Sequence, residues 1–490
     1  MTAVTDRVFT TAQVRELDRV AIQEHGIPGY TLMLRAGQAT FDLIRKRWPE
    51  AKSLCVLCGA GNNGGDGYVI AKLALQAGWQ VSVLALGDVL RLGDDAQQAY
   101  SDFQVAGGRA KPFDGELPAS EVLVDALFGT GLTRDVEGIY ADAIRQINQH
   151  PAPVVAVDIP SGLNADTGNP CGCAVSANLT VTFIGWKAGL LTGSARDYCG
   201  EICFARLDVP DAVYTQVPAH MHKLGMHTLQ TCLPPRQRTT HKGSCGHALL
   251  VGGAPGMSGA IRLAGEAALR AGSGLVSIAT HSEHAPLLNL TRPELMVNAV
   301  DSPVHLRHLL QKMDALGIGP GMGQTAWSRG LLTMVQNADM PKVLDADALN
   351  LLAQTPVRRD DWILTPHPAE AARLLACETA DVERDRIAAA RRLQREYGGV
   401  IVLKGAGTVV ACAATVALCP AGNPGMASGG MGDVLTGIIA GLLAQGLGLA
   451  QAAETGVYAH ALAADKAAAN GERGLLASDV LACLRETVNP

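Results

Sequence analysis

The residues of this chain that could do chemistry sit in short polar motifs, each directly after an apolar run. In the first half these are Asn62-Asn63-Gly64-Gly65-Asp66, Asp125 with the Gly129-Thr130-Gly131 turn, and Asp158-Ile159-Pro160-Ser161-Gly162. Asn63 and Asp125, together with backbone carbonyls, offer hard oxygen donors suited to a hard cation. The glycines at 64–67 and 129–131 can cradle phosphate, because glycine lets backbone N–H groups come close to an anion. The spacing of Gly59, Gly61 and Gly64 fits GxGxxG, but no acidic residue ends the following strand, so this is not the dinucleotide fingerprint.

The second half repeats the arrangement with different residues. Gly429-Gly430-Met431-Gly432-Asp433 runs straight into a helical pattern, and the N–H groups at such a start form an anion hole. Asp433 could take a proton from a substrate hydroxyl, or it could simply cap the helix. Lys404-Gly405-Ala406-Gly407-Thr408 offers a second phosphate-cradling turn after a strand. Asp345-Ala346-Asp347, Thr365-Pro366-His367-Pro368-Ala369-Glu370 and Gly319-Pro320-Gly321-Met322-Gly323 end three more apolar runs. His367 taken alone reads equally as a structural histidine. The group reads as a nucleotide site, although no GxxxxGK[ST] loop is present.

Such motifs converge only if the strands before them are parallel. Apolar strands are expected at 53–58, 81–86, 122–126, 154–157, 179–183 and 202–205, with helices at 13–24, 32–48, 68–77, 96–106 and 140–149. This alternation implies a parallel sheet covered on both faces, with ligands outside the carboxyl ends of its strands. From 210 to 240 the pattern lapses into a polar, proline-bearing stretch holding His220, His222 and His227, expected to be a linker with a boundary near residue 225. Strands resume at 248–251, 275–279, 315–318, 343–344, 362–364, 400–403 and 409–411, with helices at 259–271, 381–397, 434–444, 452–468 and 478–486. No internal repeat relates the halves, so two different α/β folds are expected.

Composition narrows the partners. Aromatic residues make up 4% of the 490-residue chain and the net charge is −6, which argues against a nucleic-acid or anionic-membrane partner. Residues 434–453 carry no charge, yet their glutamines and glycines read as a buried helix and turn rather than a membrane span. Residues 1–10 contain no apolar core of a signal peptide, and the twelve cysteines, including the Cys55–Cys58 pair inside an apolar run, form no zinc or disulfide pattern. A cytoplasmic homo-oligomer acting on small molecules is the expectation.

The motifs carry a resemblance. GAGNNGGDG, VDALFGTGL and VDIPSGLNADTG are similar to the characteristic stretches of the YjeF N-terminal domain, the NAD(P)HX epimerase. GMSGAIRLAGEAALRAGSGLV, GIGPGMG, VLDADALN, LTPHPAE, LKGAGT and NPGMASGGMGDVLTGIIAGLL resemble the ADP-dependent NAD(P)H-hydrate dehydratase, the YjeF C-terminal domain of the ribokinase-like superfamily. The resemblance implies a Rossmann-like domain over 1–224 and a ribokinase-like domain over 225–490. It implies a substrate that is a reduced nicotinamide dinucleotide hydrated on its ring. Asn62, Asn63, Gly64, Gly65, Asp66, Gly129, Thr130, Gly131, Leu132, Thr133, Arg134, Asp135, Tyr140 and Asp158 would contact it in the first domain, with Asp158 the acid–base group. Asn63, Asp125 and Ser161 would surround a potassium ion. In the second domain Ala260, Gly323, His367 and Asp433 would contact the hydrate, with Asp433 the base, while Lys404, Gly405, Ala406, Gly407, Thr408 and Gly432 would hold ADP, with magnesium on its phosphates. A small-molecule kinase with a regulatory first domain is the rival reading, and it predicts a stable phosphorylated product. An idle scaffold is the other, and turnover would exclude it.

Overall fold

The computed structural model describes residues 4–490, which fall into two compact units divided between His222 and Lys223. In the first unit seven strands form one parallel sheet in the order Ala110–Pro112, Gln80–Ala85, Ser53–Cys58, Val122–Ala126, Val154–Val157, Leu179–Phe183, Glu201–Ala205. Its central strands are largely apolar because both faces are covered, and Val56, Val124 and Val155 are fully buried. The chain starts at the middle strand Ser53–Cys58, runs outward through two strands, then returns to lay Val122–Ala126 on the other side. A crevice opens at such a switch point, between the ends of the two central strands.

The helix after the first strand begins at Asn62, not at the expected 68, so the glycine loop is largely helix. Its glycines answer to space, not to unusual dihedral angles. A Cβ on Gly64 would run into the Gly59 carbonyl, and one on Gly67 would press on Ala126 and Cys58. This close packing seats the helix start directly on the sheet edge, where Gly59 N–H donates to the Ala126 carbonyl at 2.9 Å.

The second unit carries a sheet in the order Met296–Ala299, Leu275–Thr280, His247–Val251, Ala315–Ile318, Lys342–Leu344, Trp362–Leu364, Val400–Leu403, Val409–Ala411, Val416–Leu418. The last two strands pair antiparallel and the rest are parallel. Its own switch point lies between His247–Val251 and Ala315–Ile318. The helix Met431–Ala444 is buried on nearly every side from Val434 onward, which explains the lack of charge beyond Asp433, and a turn separates it from Leu449–Ala467. Among the described residues no helix is long and apolar enough to cross a membrane.

Several expectations need correction. The 210–240 stretch is no bare linker: it holds Asp211–Gln216, Met221–Lys223 and Met226–Cys232, with Tyr214, Leu224 and Leu229 fully buried. The expected helix over 381–397 is two helices, Thr379–Arg384 and Arg386–Tyr397. Asp385 breaks it with an extended backbone, and its carboxylate caps the second helix at Ala388 N–H, 2.8 Å away. Short helices at Pro303–Leu310, Ala326–Gln336, Asp347–Gln354 and Pro368–Leu375 were not expected, and neither were the strands Arg7–Phe9, Ala110–Pro112, Met296–Ala299 and Val416–Leu418.

Candidate active sites

The crevice of the first unit is a cavity of about 700 Å³. Its wall includes Asn62, Asn63, Asp66, Gly129, Thr130, Gly131, Leu132, Thr133, Arg134, Tyr140 and Asp158. Tyr140 is fixed by donating its hydroxyl to the Leu86 carbonyl at 2.9 Å and by packing on Phe128, ring centroids 4.7 Å apart. Gly64 and Gly65 are buried beneath the helix start instead, Gly65 facing Met33, and Asp135 points to solvent.

Behind this wall lies a polar knot. Asp125 is 0% exposed, and its carboxylate accepts the Ser161 N–H at 2.7 Å, the Ser161 hydroxyl at 2.5 Å and the Leu127 N–H at 3.2 Å. Ser161 Oγ in turn accepts the Phe128 N–H at 2.8 Å. These bonds tie the 125–128 and 158–161 segments together. Burial pushes the Asp125 carboxyl up to about 6, against the pull of the Ser161 bonds. Asn63 lies alongside, its amide 3.6 Å from the position a Gly129 Cβ would take, and its Nδ2 is buried without a partner among the described residues.

Asp158 ends its strand with φ +70, a left-handed backbone uncommon outside glycine. That turn aims its carboxylate back at the sheet, where Oδ1 pairs with Lys187 Nζ and accepts the Phe183 N–H at 3.3 Å. Lys187 is 1% exposed and also donates to Thr182 Oγ1 and the Phe183 carbonyl, both at 2.9 Å. Lys187 and Asp18, the latter on the helix Thr11–Gln23, line the same cavity, and neither stands out in the sequence. Burial first, then the Asp158 and Asp18 charges, hold the Asp66 carboxyl well above the usual carboxylate range.

The second unit gathers its motifs in the same way. Asp433 lies in the first turn of Met431–Ala444, whose N-cap is Gly430 at φ +91. Asp433 is therefore not the cap, and among the described residues its side chain makes no hydrogen bond. Burial, then the neighbouring Asp345 charge, push its carboxyl up to about 7, with Lys404 pulling the other way. Asp345 is 1% exposed and accepts Lys404 Nζ at 2.6 Å and the hydroxyls of Thr365 and Thr436, both at 2.9 Å. Burial would raise its pKa, but those three donors outweigh it and hold Asp345 below the usual carboxylate range. A Cβ on Gly432 would lie 3.3 Å from both Asp345 Oδ2 and Lys404 Nζ, so the glycine loop, the lysine and the aspartate share one spot.

His367 is the N-cap of Pro368–Leu375: Nδ1 accepts the Ala369 N–H at 3.2 Å, and Nε2 stands 3.3 Å from Glu370 Oε1. Burial holds its pKa below the ordinary histidine value, although the Glu370 charge opposes this. Gly323 N–H donates to Asp347 Oδ2 at 2.7 Å, and Ala260 Cβ lies 3.1 Å from the position of a Gly321 Cβ. Gly405 and Ala406 are exposed and Gly407 is buried, while Thr408 Oγ1 donates to the Gly405 carbonyl at 3.0 Å. Arg386, 2% exposed, props this turn from beneath by donating to the Lys404 carbonyl at 2.8 Å. It lies in an arginine-rich helix, and its burial has no local signal. No cluster of three or more His, Cys, Asp or Glu that could hold a metal occurs among the described residues.

Known proteins show the same two parts. A model of the YjeF-related protein N-terminus matches residues 29–189, and one of NAD(P)H-hydrate dehydratase matches 248–486. The bifunctional NAD(P)H-hydrate repair enzyme Nnr of Coxiella burnetii is 49% identical, with 99% of each chain covered. That of Escherichia coli K12 is 47% identical over 99% of this chain and 94% of its own. Among solved structures, the ADP/ATP-dependent NAD(P)H-hydrate dehydratase from Bacillus subtilis, co-crystallised with ATP/Mg2+, is 32% identical at a TM-score of 0.50, covering 54% of this chain and 96% of that one. A ribokinase-like superfamily protein from Enterococcus faecalis is 30% identical at 0.52, covering 55% and 96%.

Proposed function

The chain belongs to the family of bifunctional NAD(P)H-hydrate repair enzymes, and from that membership we propose how its residues divide the work. The first domain is the epimerase part and the second the dehydratase part. In the first, Asp158 is the acid–base group at the hydrated ring carbon, and Asn62, Asn63, Asp66, Gly129 to Arg134 and Tyr140 hold the dinucleotide. Support comes from the placing of Asp158 on the cavity wall beside Lys187.

Asn63, Asp125 and Ser161 form the potassium shell. The donors are hard oxygens, which suits such an ion, and Asn63 reaches the cavity wall beside the Asp125–Ser161 knot. When bound, the ion offsets the Asp125 charge at the base of the crevice. The residues themselves hold the 125–128 and 158–161 segments in register, which aims Asp158 at the ring.

In the second domain the hydroxyl of the S hydrate attacks the β-phosphorus of ADP, the P–O bond to AMP breaks, and Asp433 takes the hydroxyl proton. The ring nitrogen lone pair then expels phosphate, and loss of a proton from the adjacent carbon restores the dihydronicotinamide. Lys404 to Thr408 and Gly432 cradle the nucleotide, whose phosphates carry magnesium, and Ala260, Gly323 and His367 hold the hydrate. The observation that carries this reading is Asp433 itself, unbonded in a helix's first turn and pushed up to about 7 beside Lys404. The decisive experiment is NADH recovery from purified hydrate, followed by absorbance with and without ADP. A stable phosphorylated hydrate as the end product would support a kinase instead.

Cytoplasmic residence and homo-oligomers belong to the same proposal. No disulfide joins the cysteines among the described residues, which suits a reducing compartment. Leu287, Leu290 and Val304 leave apolar side chains exposed on the second unit, which suits a subunit contact, and light scattering tests it.

A further inference from the structure

The first cavity has more acid in its wall than the reading above uses. Asp18, Asp66 and Asp158 reach it from three different elements and stand close enough to feel one another's charge. Lys187 is the cation among them, and its ammonium is already committed to Asp158, Thr182 Oγ1 and the Phe183 carbonyl. Asp18 makes no hydrogen bond or ion pair among the described residues, so nothing in the fold consumes its carboxyl group. Of the other groups facing it, Arg15 lines the same cavity, Arg19 is taken by Glu16 and Glu24, and the Tyr214 hydroxyl is given to the Ile184 carbonyl at 2.6 Å. Arg7, on the strand beside this helix, donates to the Tyr214 carbonyl.

We propose that Asp18 is a second catalytic residue of the epimerase, working as the acid opposite Asp158. This rests on the assignment of epimerisation to the first domain. The carbon to be inverted bears a hydroxyl and is bonded to the ring nitrogen. Asp158 takes the hydroxyl proton, the oxygen lone pair forms C=O, the C–N bond breaks, and the nitrogen receives the proton of Asp18. Rotation about the neighbouring C–C bond turns the aldehyde over. The nitrogen then attacks its other face, returning its proton to Asp18 while the oxygen regains one from Asp158. No oxidant, reductant or further reactant enters. The two carboxyl groups need different roles for this to work, and their surroundings differ. Asp158 is ion-paired to Lys187. Burial, reinforced by the Asp158 charge and only partly offset by Lys187, pushes Asp18 up to about 7, so it carries its proton below neutrality.

The test is epimerisation of mixed hydrates by the full chain as a function of pH. In the wild type the rate should fall as pH rises through about 7, because Asp18 loses the proton it must give. Asp18→Asn should lower kcat by at least ~10²-fold with KM little changed, and the alkaline limb should disappear. Asp18→Glu, should the amide fail to fold, should keep measurable turnover with that limb displaced. Asp18→Asn within a few-fold of wild type, or an unmoved limb in either variant, overturns the proposal. A wild type that epimerises at no pH overturns the functional assignment instead.

Discussion

Lys404 Nζ donates to Asp345 Oδ1 at 2.6 Å in a spot where the aspartate is 1% exposed, so each charge depends on the other. Burial alone would lower the Lys404 pKa, but Asp345 and Glu370 together hold it above the ordinary lysine value. Lys404→Met should therefore leave a buried carboxylate unpaired, at a cost of about 3 kcal/mol or more in stability at neutral pH. Urea denaturation of the second domain checks this. Because Asp345 is depressed by its partners, the wild-type contribution should be full above the unfolded aspartate pKa and fade as pH falls through the lower folded one.

Asp433→Asn should abolish ADP-dependent dehydration by at least ~10²-fold and leave epimerisation untouched, since the amide cannot accept a proton. The wild-type dehydration rate should rise with pH through about 7, where the Asp433 carboxyl becomes ionised. Rate measurements over pH 5.5–8.5, roughly the range that frames such a limb, separate this from simple loss of fold.

Asp125→Asn tests the ion shell. The amide nearly preserves shape but loses the charge that a potassium ion would balance. In a mixed-epimer assay the fast phase should survive, because dehydration of the S hydrate is intact, while the slow R-dependent phase should weaken by roughly 10²-fold through misplacement of Asp158. A second phase that is the same with and without potassium, in both proteins, would count against the site.

Gly64→Ala should be far worse than its size suggests. Its methyl group would meet the Gly59 carbonyl, a backbone atom that cannot step aside. A loss of about 1–3 kcal/mol from the first unit is expected, with epimerisation falling alongside it. Thermal melting of the full chain, read beside unchanged dehydration, is the measurement.

Asp125, Asp158, Ser161, Lys404 and Asp433 were legible in the sequence because each lies at or just after the end of an apolar strand or glycine turn, where a parallel sheet concentrates its polar ends. Asp18 and Lys187 were not. Asp18 sits among the polar positions of an amphipathic helix, and Lys187 in a two-residue strand, and only the fold turns them inward. Arg386 is hidden in the same way among surface-type arginines. The unexpected helix Ala326–Gln336 did leave a signal, a Thr325/Ser328 capping box, and Pro303–Leu310 begins with proline at its first turn. The break at Asp385 comes from its extended backbone and its carboxylate cap on Ala388 N–H, which apolar periodicity does not report.

The reversal of strand order at the first crevice also bears on how the protein is made. Leu54 lies directly beside Val122, so roughly seventy residues must leave the ribosome before the middle of that sheet gains its second neighbour. Until then one edge of an almost wholly apolar strand stands open to other chains. Epimerase activity should thus wait on the strands from Val122 onward, after a period in which the nascent first domain is at its most prone to aggregate.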